Sequence, residues 1–190
     1  MAHSLRIARI SVEDYLVDER LAEVRHEYVD GELFAMSGAS RTHNRLTMNF
    51  SVRLGTHLEN GHCRVASSDM KVRPAVGVRF YYPDLVVSCN DPAEEEDEYV
   101  ETCPTIVIEV LSDTTEQIDR REKRLAYQSI PALHEYVLVA QDVREVSVYR
   151  RDGEGWLLDV FGPGERTTLE SVGFLLDVDD LYRGVDTIVR

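Results

Sequence analysis

The sequence predicts an α/β domain in which helices flank a twisted, mixed β-sheet. Three observations carry this. Leu46, Phe50, Leu54 and Leu58 recur every four residues, the spacing that lines one face of a helix. Short apolar, β-branched runs, chiefly residues 78–88 and 105–111, follow it and precede a second helical pattern around Lys123. Two Asp-Gly dipeptides, Asp30-Gly31 and Asp152-Gly153, separate strand-like runs; Asp-Gly signals a two-residue hairpin because both central positions need positive φ. Hairpins bring antiparallel pairs, so the sheet is not purely parallel, and helices entering at two points pack against it.

Taken in order, Ser11-Val12-Glu13-Asp14 is a capping-box-like start, with Tyr15, Leu16, Leu21 and Val24 continuing an amphipathic pattern to about Glu23. Residues 26–36 read as two short strands around Asp30-Gly31. Residues 40–60 form the longest helix, with His43 in its first turn and Asn60-Gly61 as its stop. Residues 63–73 alternate as a strand, with Met70 and Val72 on one side of Lys71, and residues 74–77 turn. The run 78–88 is re-aimed at Pro83, which cannot donate to a central ladder. Glu94, Glu95, Glu96, Asp97, Glu98 and Glu101 crowd the next loop, and so many like charges are not expected to pack. Residues 105–111 are the most apolar run and the expected central strand. Ser112 to Thr115 offer caps for a helix that Ile130-Pro131 ends. Strands follow at 134–140, 145–150 and 156–161, and a closing strand or short helix carries Phe174, Leu175, Leu176 and Leu181.

At 190 residues the chain is expected to be one domain, residues 1–190, with 43% hydrophobic and 29% charged residues, the proportions of a globular protein. No run approaches the ~20 apolar residues that span a bilayer, and the first residues lack the apolar core of a signal peptide. Cys63, Cys89 and Cys103 are odd in number and lack metal-finger spacing, so reduced thiols and a cytoplasmic location are expected. A net charge of -14 argues against tight non-specific nucleic-acid binding, which draws its affinity from phosphate contacts. The charge is uneven, however. Arg120, Arg121, Lys123 and Arg124 form a basic cluster, and a bound divalent cation reverses the local sign at a carboxylate site.

Glu109 is the most informative residue, because its neighbours in sequence are apolar. Burying an unpaired carboxylate costs several kcal/mol, so an arginine, an edge position facing water, or a metal ion must compensate. Asp84 follows Pro83, where aspartate commonly serves as a strand-entry residue. If its run pairs with that of Glu109, the two carboxylates converge, and two suffice for magnesium together with water and phosphate oxygens. The Val110 carbonyl is a third candidate ligand. Lys123 shares a helical face with Asp119 and Tyr127. That face is either solvated or turned toward Glu109, where the ammonium can stabilise developing charge. Glu27 and His43 are weaker candidates on position alone. The histidines show no zincin spacing and no CxxC is present, so zinc is not expected. Phosphate-cradling glycine loops and GxSxG are absent.

Several separated motifs in order, HEYVDGELFAMSG with Ser40 to His43, YYPDLVV, IVIEVLSDTT, DRREKRLAYQ and HEYVLV, resemble the Uma-two family of the P-D…(D/E)-x-K nuclease superfamily over residues 10 to 182. The resemblance implies a restriction-endonuclease-like fold and DNA cleavage by metal-activated water, with Mg²⁺ or Mn²⁺ as cofactor. It implies Asp84 and Glu109 as metal ligands, Glu27 as an assisting acid and His43 near the same pocket; the Val110 carbonyl beside Glu109 and Tyr127 on the Lys123 face join them, as a metal ligand and a binding residue, from position alone. The superfamily's lysine would fall at Leu111; Lys123 on the following helix takes that place. A homodimer suits a two-stranded substrate. The competing reading is a catalytically inactive nuclease-fold module that binds a basic partner, and a third is hydrolysis of a smaller phosphodiester.

Overall fold

The computed structural model describes residues 9–91, 97–111 and 119–185. Helix α1 (Val12–Glu19) begins at Ser11, whose Oγ accepts from the Asp14 N–H and donates to its carboxylate. It ends before the expected Glu23: Leu21 is 83% exposed and Val24 is also exposed, so the apolar spacing runs on with no surface to bury it. The hairpin of β1 (His26–Val29) and β2 (Glu32–Ala35) forms as expected, with φ of 49° at Asp30 and 98° at Gly31. Gly31 is doubly required, since a Cβ there would stand 2.7 Å from the Arg9 Cβ.

Helix α2 (Arg41–Leu58) is capped by Ser40, whose Oγ accepts from the His43 N–H, and it buries Leu46, Phe50, Leu54 and Leu58. The strand expected over 63–73 is instead two, β3 (Arg64–Ser67) and β4 (Lys71–Val72). A turn closed by Met70 N–H to the Ser67 carbonyl divides them. Pro83 likewise separates β5 (Arg79–Phe80) from β6 (Leu85–Ser88), which belong to different sheets. The end of the acidic stretch is anchored, contrary to expectation. Asp97 pairs with Arg20, and β7 (Val100–Glu101) is buried in parallel pairing with β4.

Strand β8 (Ile106–Val110) is followed by residues 112–118, where the expected helix caps lie outside the described residues. A π-helical turn, Asp119–Lys123, then leads into α3 (Arg124–Gln128). Strands β9 (Glu135–Val139), β10 (Val146–Asp152) and β11 (Gly155–Phe161) follow, then the hairpin β12 (Arg166–Leu169) and β13 (Phe174–Asp177), and α4 (Val178–Leu181).

Six strands form the main sheet in the order β11-β10-β9-β8-β6-β3, antiparallel except for β8 and β9. A parallel pair needs a crossover, and the chain between β8 and β9 carries the π-helical turn and α3 across one face. There Ala126, Tyr127, Ile130 and Leu133 cover Val86, Val107, Leu111, Tyr136 and Leu138. The other face buries Leu85, Val87, Ile106, Ile108, Val137 and Val139 under α2, the β12–β13 hairpin and α4. A smaller sheet, β2-β1-β5, holds a third cluster of Tyr15, Tyr28, Phe80 and Val100.

The cysteine reading is corrected. Cys63 and Cys89, one step beyond the Arg64–Ser88 pair of β3 and β6, are joined in a disulfide, and Cys103 is free. Sequence separation hid this, because register alone brings the two together. Among the described residues, no helix is long and apolar enough to cross a membrane.

Candidate active site

Register builds the site. Strands β6 and β8 pair Val87 with Ile106, Val86 with Val107, and Leu85 with Ile108. One further step sets Asp84 opposite Glu109. The Val110 N–H donates to Asp84 Oδ2 over 2.7 Å, which fixes the carboxylate at the open end of the pair. His43, from the first turn of α2, lies with Nε2 3.1 Å from Asp84 Oδ1.

Glu109 is 4% exposed on a central strand, so an edge position does not explain it. Alternation places it with Val107 and Leu111 on the α3 face. From that side Tyr127 donates its hydroxyl to Glu109 Oε1 over 3.1 Å, and Lys123 Nζ stands 3.4 Å from the same oxygen. Lys123, 6% exposed, also reaches Glu27 Oε1 at 2.8 Å. Glu27 is held in turn by the Tyr82 N–H at 3.3 Å, two residues before Asp84. The helical face of Lys123 and Tyr127 therefore turns inward rather than to water. The π-helical turn ends at Lys123; such turns are rare and gather at functional sites.

The structure thus joins Glu27, Lys123, Glu109 and Tyr127 in one contact chain, and Asp84 with His43 and Val110 beside it. Among the described residues, Glu27, Asp84 and Glu109 do not form a set of three donors mutually within 4.8 Å. The donor set is chemically suited to a hard divalent ion: two carboxylates at the ends of neighbouring strands with a strand-end carbonyl nearby.

Sequence reading missed the supporting groups. Gln141 donates to the Leu111 carbonyl and accepts from Ser40 Oγ at 2.6 Å, tying the end of β8 to the start of α2. The Tyr81 ring lies 5.6 Å from Lys123 Nζ, and its hydroxyl donates to Glu122 over 3.0 Å. Burial, reinforced by Glu122, raises the Tyr81 pKa well above the ordinary phenol value, so the hydroxyl stays a donor. No local pattern marks these residues; Tyr81 alone is hinted at, by its place in YYPDLVV.

A mixed central sheet with two carboxylates on adjoining strands and a lysine delivered by the crossover defines a restriction-endonuclease-like fold. A crystal structure from Anabaena variabilis, described as "a putative nuclease belonging to DUF820", superposes with a TM-score of 0.72. It is 19% identical, over 88% of this chain and 97% of that one. The family profile Uma2, "Putative restriction endonuclease", matches residues 12–179, and the chain belongs to that family. Two uncharacterized Synechocystis proteins are similar: slr1290 is 34% identical over 93% of both chains, and sll1609 is 32% identical over 78% of this chain and 85% of its own.

Proposed function

We propose that the protein is an endonuclease that hydrolyses DNA phosphodiester bonds with the aid of Mg²⁺ or Mn²⁺. The observation that carries this is Lys123 buried against Glu109, on the strand next to Asp84. Asp84 and Glu109 hold the cation with the Val110 carbonyl. Bound there, the cation supplies Lewis-acid charge at the phosphate and lowers the pKa of water. Lys123 positions the attacking water or faces the charge that develops on phosphorus-bound oxygen. Glu27 orients Lys123 and assists through water, His43 holds Asp84, and Tyr127 holds Glu109. The protein works as a cytoplasmic homodimer, one copy per strand, built from a single domain per chain.

Isothermal titration with Mg²⁺ or Mn²⁺ and a plasmid-nicking assay test the proposal. Wild type is expected to bind and to cleave, and Asp84→Ala and Glu109→Ala are expected to lose both. Failure of wild type to bind either cation would overturn it. The net charge of -14 favours a second reading, an inactive module for a basic partner, which predicts that failure. Cation binding with cleavage of small phosphodiesters only would leave the site and change the substrate.

A further inference from the structure

At the opposite end of β6 from Asp84 lies a second group of donors with different chemistry. The ligand atoms of His62, Cys63 and Cys89 stand within 4.8 Å of one another, with His62 Nε2 3.7 Å from Cys63 Sγ. His62 is exposed, and both cysteines are half-buried against the main core. The cysteines are brought together by backbone register rather than by their bond. Four residue pairs join β3 to β6 up to Arg64–Ser88, immediately before this position. Breaking the sulfur–sulfur bond therefore leaves both thiols facing each other at the sheet edge, with an imidazole beside them. The same two sulfurs can be bridged by a bond or by an ion, but not by both.

We propose that reduction converts Cys63–Cys89 into a soft-metal site, in which His62 and the two thiolates bind Zn²⁺ or Cu⁺ and oxidation to the disulfide expels the ion. The disulfide takes two electrons from a dithiol, which also supplies the two protons and leaves as its own disulfide, or from a phosphine, which leaves as its oxide while water supplies the protons and the oxygen; each sulfur becomes a thiol. Metal binding displaces both thiol protons, and water fills the remaining position. Two sulfurs and one nitrogen favour zinc or cuprous ion, whereas the oxygen donors at Asp84 and Glu109 favour magnesium. The two ends of one strand thus select different cations, and the second is under redox control.

Cobalt is the probe, because thiolate coordination gives Co²⁺ a charge-transfer band that carboxylate coordination does not. The full chain is reduced with a phosphine, desalted without oxygen and titrated with Co²⁺. One equivalent is expected to develop the band, which zinc abolishes by displacement and reoxidation of the protein removes. The disulfide form is expected to show none. The band should survive in the Asp84→Ala, Glu109→Ala double variant, which separates this site from the proposed nuclease centre. His62→Ala, an exposed change that leaves the core intact, should weaken binding by at least the roughly 10–100-fold typical of even an outer-shell loss. Cys63→Ser and Cys89→Ser should each remove the band. A reduced wild type without the band, a band that persists in both serine variants, or undiminished affinity in His62→Ala overturns the proposal.

Discussion

Lys123 and Tyr127 meet the same oxygen of Glu109 but contribute differently. Lys123 pairs with two carboxylates, Glu27 and Glu109, and all three side chains are largely shielded from water. Exposed ion pairs contribute about 0–1 kcal/mol, whereas removing one member of a buried pair costs roughly 3–5 kcal/mol because a charge is left uncompensated. Lys123→Met is accordingly expected to lower stability by about 3–5 kcal/mol in urea denaturation. Tyr127→Phe keeps the ring packed against Tyr81 and Tyr136 and removes only the hydroxyl, so a smaller loss of roughly 1.5–3 kcal/mol is expected. Equal losses would mean that Lys123 has no special electrostatic role. The presence of Glu109, Asp84 and Lys123 as candidates was legible in the sequence, since a carboxylate inside IVIEVL demands a partner. Which partner it takes was not, because a lysine four residues before a tyrosine looks the same whether its face meets solvent or a strand.

At the level of elements, α2 and β8 position the site and were the most readable. A four-residue apolar repeat and a continuous apolar run each have one plausible burial, and both are buried as read. Leu54→Ala, at a position with no exposure, is expected to cost about 2–5 kcal/mol. Val52→Ala on the outer face of the same helix is expected to stay within about 0.5 kcal/mol of wild type. Similar values for the two would contradict the packing of α2 on the sheet. The errors fell on short elements. Residues 63–73 alternate like one strand, yet the chain turns at Ser67–Met70 and gives β4 to another sheet, because a two-residue pairing leaves almost no periodic trace.

For the molecule as a whole, the balance of buried charge predicts a pH response. Lys71 is buried over the rings of Tyr82 and Tyr99. Burial holds its pKa below the usual lysine value, against the pull of Asp97 and Glu19. Its folded pKa thus lies below its unfolded one. Between the two the unfolded chain binds more protons, so stability from this group rises with pH there, and the penalty is present in full below the folded value. Lys71→Met is expected to be more stable than wild type at pH 7, with the gap narrowing as pH approaches about 10.4. Urea denaturation at several pH values checks this, and a constant gap would refute it. Net charge, by contrast, said little about the fold. It bears on partners, and it masks a centre whose own charges are locally arranged.

By itself the sequence determined the α/β class, the long helix, the Asp30-Gly31 turn and the three charged residues on which the functional proposal stands. These follow from local periodicity, turn chemistry and the cost of placing charge among apolar neighbours. The second hairpin forms too, but its turn is centred on Gly153-Glu154, with Asp152 paired to Gly155. Only the tertiary structure decided that Asp84 faces Glu109, that Lys123 turns inward between two acids, and that Cys63 meets Cys89. Each depends on strand register and on the side from which the crossover packs. Those are set by the summed contacts of residues far apart along the chain, and no short window of sequence contains them.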